Sequence, residues 1–183
     1  MLKSKNIELV PFEYKYIKKF VEFRNSEDSR NFLMPGIPYP VTEGSVSEWL
    51  NKRANPSESG EFAIIYNETK EYIGNISYGN VDWKNRHCEI AIMIGEEKYR
   101  NRGLGSEAIM TLLDFIFNEL NLHRVELKVY DFNERAIRCY EKCGFKKEGL
   151  LREAVYKHGK YINECMMSII KEEFCKHDFQ GNN

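Results

Sequence analysis

Hydrophobic and polar positions alternate early in the chain. Ile7-Glu8-Leu9-Val10 has the two-residue period of a strand, and Tyr14, Ile17, Phe20, Val21 and Arg24 follow Pro11 at helical spacing. A strand and then a helix are predicted. The segment from Met34 to Pro40 holds three of the five prolines, which excludes a regular helix, and Thr42 is placed to cap a helix through Val46, Trp49 and Leu50. Phe62 to Tyr66 and Tyr72 to Tyr78 form a hairpin pattern, and His87 to Ile94 is a third strand after the turn from Asp82 to Arg86.

Beyond Ile94 the period changes. Ile109, Leu112, Leu113, Ile116, Phe117 and Leu120 share one helical face, Val125, Leu127 and Val129 alternate as a strand, and Ala136, Ile137 and Tyr140 open a helix that Gly144 can end in the left-handed conformation. Strands from about Lys147 to Tyr156 and from about Lys160 to Ile170, joined at His158-Gly159, close the pattern. The expectation is one α/β domain over residues 1–175 and a patternless, disordered tail over 176–183.

Composition narrows the function. A hydrophobic share of 42% is enough to fill one core in 183 residues without disulfide or metal. With 27 basic against 28 acidic residues the net charge is -1, so no global field draws the chain to nucleic acid or an anionic membrane. The N-terminal residues lack the apolar stretch of a signal peptide and no window approaches the roughly 18 apolar residues of a membrane span, so a cytoplasmic location is expected. The five cysteines are odd in number and contain no C-x-x-C pair. They are expected as reduced thiols with no metal bound, and Cys139 and Cys143, four apart on one helix, have no further ligand at metal spacing.

The informative stretch is Arg100-Asn101-Arg102-Gly103-Leu104-Gly105-Ser106, between the strand ending at Ile94 and the helix of Ile109. Glycines admit a ligand close to the backbone, successive N–H groups form a concave nest, and the helix start adds partial positive charge, which together suit a diphosphate. Gly103-x-Gly105-x-x-Ala108 also satisfies the dinucleotide fingerprint, with Glu126 near the distance of a ribose-binding acid. In that fold, however, the first glycine turns directly off the strand, and here Glu96 to Arg102 intervene.

Arg-x-x-Gly-x-Gly ahead of an amphipathic helix resembles the pyrophosphate loop of the GNAT superfamily of acetyl-CoA-dependent N-acetyltransferases. Asn133, Ala136, Tyr140, Lys142, Gly144 and Phe145 match that superfamily's N-x-x-A-x-x-x-Y-x-K-x-G-F segment in the correct order and spacing. The ending, Glu148 to Glu153 and Gly159 to Glu164, is similar to the RimJ/RimL branch and to SpeG-type spermidine acetyltransferases. The acidic segment that the spermidine enzymes carry after their first helix has no counterpart between Phe32 and Pro40.

The resemblance implies an α/β fold whose mixed, mainly antiparallel sheet, flanked by helices, splits centrally to admit acetyl-CoA. It implies transfer of acetyl to a primary amine, either a protein N-terminus or a small molecule, with a polyamine as the alternative acceptor. A homodimer is compatible with it. A module that binds acetyl-CoA without catalysis is the competitor of another class. Ile92, Met93 and Ile94 would face the pantetheine arm, and the N–H of Met93 or Ile94 would hold the oxyanion that forms on the thioester. Arg100, Asn101, Arg102, Gly103, Leu104, Gly105 and Ser106 would hold the diphosphate, with Asn133 on the pantetheine. Glu89 would serve as base for an amine that is protonated at neutral pH, and Tyr140 as acid for the leaving thiolate. Asp82 and Trp83, with Glu89, would line the acceptor site. For Glu89 the bland alternative is an exposed strand carboxylate, and for Tyr140 a packed core aromatic.

Overall fold

The computed structural model describes residues 1–33, 36, 37, 39–52, 55 and 57–175. The expected disordered tail and Met34, Pro35 and Pro38 of the proline-rich loop lie outside them. The strands are β1 Leu2–Lys3, β2 Ile7–Pro11, β3 Gly60–Tyr66, β4 Tyr72–Asp82, β5 His87–Ile94, β6 Arg124–Tyr130, β7 Lys146–Lys157 and β8 Lys160–Ile170. The helices are α1 Ile17–Asn25, α2 Glu27–Phe32, α3 Glu43–Lys52, α4 Leu104–Asp114 and α5 Glu134–Lys142.

All eight strands belong to one sheet in the order β1-β2-β3-β4-β5-β6-β8-β7. Every neighbouring pair is antiparallel except β5–β6, which is parallel and holds only through His87–Arg124, Cys88–Val125 and Glu89–Glu126. Beyond Glu89 the two strands part. Each keeps its outer partner, β5 pairing with β4 as far as Ile94 and β6 with β8 as far as Tyr130, so the sheet divides into two halves. This is the expected central split.

The two faces bury different sets of residues. On one, Cys88, Ile90, Val125, Leu127 and Val129 meet Ala108, Ile109, Leu112 and Leu113 of α4 and Ile137 of α5. On the other, Ala63, Ile65, Tyr72 and Met93 meet Ile17, Phe20 and Phe23 of α1 and Val46 of α3. The two-residue strand period thus serves two helical layers.

Three local features refine the sequence pattern. The helix α2, capped by Ser26 Oγ accepting from Ser29 N at 3.2 Å, lies between the predicted first helix and the proline-rich segment, where the sequence pattern marks no element. Thr42 caps α3 as expected, its hydroxyl accepting from Ser45 N at 3.1 Å. The regular helix expected through Leu120 stops at Asp114 and widens into a π turn over Phe115–Glu119. There Ile116 and Phe117 are buried in the core and Phe115 packs against it.

Candidate active site

A cleft of about 680 Å³ opens where β5 and β6 part. Ile90 to Ile94 form one wall, Val129 and Tyr130 the other, and Arg100, Asn101, Gly103, Gly105 and Ser106 close one end. Gly103 is the N-cap of α4 at φ +80°, a conformation that strains any residue with a Cβ. No side chain caps this helix, and its first internal bond is Glu107 N to Gly103 O at 3.0 Å. The amides of Leu104, Gly105 and Ser106 therefore have no partner in the helix and suit an anion.

The two loop arginines are placed differently from expectation. Arg100 lines the cleft, but its guanidinium donates to Ile94 O (3.1 Å) and Gly95 O (3.0 Å) and pairs with Asp28. It ties the loop to β5 and α2. Arg102 does not line the cleft; it lies over the Tyr66 ring and donates to the Tyr66 hydroxyl at 3.1 Å. The Leu104 side chain is buried in the core under α4, so only its backbone is on offer. The dinucleotide alternative loses its acid as well, because Glu126 bonds Arg124 at 3.1 Å and lies outside the cleft lining.

Further cations come from α5, where Arg138 also pairs with Glu134 at 2.9 Å and Arg135 lies over the Phe32 ring. Arg135, Arg138 and Lys142 of α5 line the same cleft. Their spacing of three and four residues puts them on one helical face, a signal present in the sequence that the reading of that block for its tyrosine passed over.

The backbone of β5 settles which amides face the split. Gly95 N donates to Ile73 O at 2.9 Å, and the register runs unbroken from Gly74–Ile94 to Gly79–Glu89. Antiparallel alternation then turns the N–H and C=O of Met93 to Asn75 in β4 and those of Ile92 and Ile94 into the split. A Cβ on Gly74 would collide with the Met93 carbonyl oxygen, which confirms that this carbonyl points to β4. The expected Met93 oxyanion donor is thus excluded by its ladder bond, and of the two expected donors Ile94 is the one that faces the cleft.

Tyr140 and Asn133 come from α5. Asn133, buried in the cleft wall, caps α5 by accepting from Ala136 N at 3.3 Å. The helix ends as Gly144 predicts: Gly144 N bonds Glu141 O and Phe145 N bonds Tyr140 O, both at 3.0 Å. That closure holds Phe145 against the Tyr140 ring, with centroids 5.9 Å apart, and leaves Tyr140 in the cleft lining. Burial first, and then Cys139 and Cys143, push the Tyr140 phenol well above its ordinary value, so it keeps its proton at neutral pH. Cys139 lines the cleft too, its thiol 3.2 Å from Ser106 Oγ. A hydrogen bond with Cys143 is the largest influence holding the Cys139 thiol down, while the same bond and burial push Cys143 up.

Glu89 stands in the cleft lining at the point where the strands part, its carboxylate accepting from Asn80 Nδ2 at 2.7 Å. Asn80 reaches it from a bulge in β4, where the register shifts between Gly79 and Asp82. Asp82 and Trp83 are not brought to the site. The Asp82 carboxylate accepts from Asn85 N and Asn85 Nδ2, both at 2.8 Å, and Trp83 donates to Ser57 O at 2.8 Å. Both residues belong to the far end of the β4–β5 hairpin, and neither lines a cavity described here.

A second cavity of about 420 Å³ lies between α1, α3 and the sheet. Phe20, Leu33, Val41, Val46 and Trp49 give it apolar walls, and Arg24, Ser45, Glu61, Asn75 and Ser77 give it polar ones. It shares Leu33, Ala91, Ile92 and Met93 with the cleft, so the two spaces meet across β5. The sequence gives no sign of this cavity because its lining comes from six separate segments.

A split sheet, a glycine-capped helix aimed into it and a strand with free amides define an acyl-coenzyme A binding fold that presents a thioester to an acceptor. A family model described as acetyltransferase (GNAT) domain matches residues 6–146, and the chain belongs to that family. It is an N-acetyltransferase with acetyl-CoA as co-substrate. It is 38% identical over 152 residues to the uncharacterized N-acetyltransferase YoaA of Bacillus subtilis, covering 83% of this chain and 85% of the relative. To the spermidine N(1)-acetyltransferase of Escherichia coli it is 33% identical over 129 residues, 70% of this chain and 68% of that one. The crystal structure of spermidine N-acetyltransferase from Vibrio cholerae in complex with CoA and spermine has the same fold, with a TM-score of 0.86 at 24% identity over 94% of this chain and 99% of that chain. Among the described residues no helix is long and apolar enough to cross a membrane.

Proposed function

We propose that the enzyme acetylates the primary amine of a small molecule that enters through the cavity between α1 and α3 and attacks acetyl-CoA lying in the split. The observation that carries this reading is the meeting of the two cavities at Ala91, Ile92 and Met93, beside the inward-facing amide of Ile94. The diphosphate lies on the amides of Leu104, Gly105 and Ser106, with Arg135, Arg138 and Lys142 supplying charge. The pantetheine arm runs beside β5 and Asn133.

The amine attacks the thioester carbonyl, and the Ile94 N–H stabilises the oxyanion as it forms. Glu89 shares a strand face with Ala91 and Met93 and takes the amine's proton through water. On collapse the C–S bond breaks, and Tyr140 gives its proton to the departing thiolate. The relatives named spermidine N(1)-acetyltransferase favour a polyamine as a second reading of the acceptor.

Release of free thiol from acetyl-CoA across an amine panel tests the activity, and Glu89→Gln tests the base. The variant should lose rate at neutral pH and regain part of it as pH rises toward the amine's own pKa, where unprotonated amine no longer needs assistance. A pH–rate profile identical to the parent's would reduce Glu89 to a partner of Asn80.

A further inference from the structure

Arg24 is the unusual group of the acceptor cavity. It projects from the last turn of α1 into a space walled by Phe20, Trp49, Leu33, Val41 and Val46. The side chain is half-buried, yet no acceptor among the described residues takes a hydrogen bond from it, and its one electrostatic neighbour is Glu61. Glu61 is itself engaged, because Asn75 Nδ2 donates to it. Burial pulls the guanidinium below its ordinary pKa, although a guanidinium stays charged at any working pH. A charged fork of five donors, half-buried against apolar walls, costs free energy unless an acceptor arrives. Other arginines of the molecule show the contrast, since Arg100 and Arg124 spend their donors on protein oxygens.

A second polar group in the same wall is unpartnered. Asn75 Oδ1 is buried without a hydrogen bond, and Asn75 stands opposite Met93 in the sheet, next to the junction with the coenzyme cleft. The cavity thus offers an anion site on α1 and a lone acceptor for an N–H near the place of reaction.

Resting on the acetyl-transfer reading above, we propose that the acceptor is a small primary amine carrying an anionic group, carboxylate or phosphate, which Arg24 grips while the amine reaches the junction at Ala91 to Met93. Phe20 and Trp49 cover its apolar part, and Asn75 Oδ1 accepts a hydrogen bond from the amine. An unengaged guanidinium at this position works against a polyamine, whose ammonium groups it repels without compensation.

Binding is tested apart from turnover. The enzyme loaded with coenzyme A is titrated by calorimetry with 3-phenylpropanoate, phenyl phosphate and the neutral 3-phenylpropanamide. At least one anion should bind tenfold or more tighter than the amide, and Arg24→Met should erase that margin. Which anion wins tells carboxylate from phosphate. Arg24→Lys keeps the charge and the aliphatic stem but loses the fork, so it should retain part of the preference and serves if the methionine variant does not fold. Equal binding of anion and amide by the parent, or a preference that survives in both variants, overturns the proposal. Turnover is then compared for phenylalanine against phenethylamine, phosphoethanolamine against ethanolamine, and spermidine. If spermidine or the uncharged partners are acetylated in preference to the anionic ones, the inference fails while acetyl transfer stands. If no amine is acetylated although the anion binds through Arg24, the anion site stands and the acceptor reading fails.

Discussion

At the scale of single residues, the site separates groups whose role follows from type and motif from groups whose role follows from what they touch. Tyr140 belongs to the first kind. Its ring packs on Phe145 and its phenol stays protonated, so Tyr140→Phe removes the hydroxyl proposed as the acid while keeping most of the packing. We expect kcat to fall by about 10²-fold with a much smaller change in KM for acetyl-CoA. A stable variant with kcat within twofold of the parent would make Tyr140 a packing residue. Arg100 and Arg102 belong to the second kind. Their sequence context marks both as phosphate ligands, whereas Arg100 is consumed by Ile94, Gly95 and Asp28, and Arg102 by Tyr66. A charge is legible in a sequence, but whether its donors are already taken depends on acceptors that arrive from elsewhere in the chain. Asp82 and Trp83 failed for a related reason. Closeness in sequence to β5 did not become closeness to the cleft, because a hairpin carries its turn to the end of the strands remote from the split.

Secondary-structure elements were the most legible level. The His87–Ile94 strand, the Thr42 cap and the Gly144 closure all follow from local chemistry, namely side-chain period, a hydroxyl acceptor and a residue free of Cβ strain. The π turn at Phe115–Glu119 and the helix α2 were not legible, since packing rather than propensity decides them. The junction of β5 with α4 gives the prediction for this scale. Gly103 holds φ +80° ahead of the free amides of Leu104, Gly105 and Ser106, and a β-branched residue strains that conformation and tilts the nest. Gly103→Val should raise the Kd for coenzyme A by tenfold or more, about 1.4 kcal/mol, in a chain that still folds. Unchanged affinity by calorimetry would move the diphosphate elsewhere.

Across the whole molecule, the two halves of the sheet must hold together although they are joined by only three paired positions of β5 and β6. On the distal half, Arg124 of β6 grips Glu148 of β7 with bonds of 2.7 and 2.6 Å and also donates to Ser168 of β8 at 2.9 Å. The hydrogen bond from Arg124 holds the Glu148 carboxyl down at about 2. Because the folded value lies below the unfolded one of roughly 4.3, the pair contributes stability above that pH and loses it as pH falls toward the folded value. Glu148→Gln should therefore cost no more than about 1 kcal/mol at neutral pH, the pair being partly exposed, and the gap to the parent should close between about pH 4 and 2. Urea titrations at several pH values measure both, and a gap that is independent of pH would assign the cost to shape rather than charge. The amino-acid sequence alone determined the order and type of most elements, the glycine-led loop ahead of α4 and the tyrosine block, because each depends on residues within a dozen positions of one another. The tertiary structure alone decided that Ile94 rather than Met93 offers its N–H, that Arg24 has no hydrogen-bond acceptor among the described residues in a second cavity, and that Arg135, Arg138 and Lys142 rather than Arg102 line the cleft. Those outcomes depend on strand parity and on which distant oxygen meets which donor, and both are fixed only when the sheet is assembled.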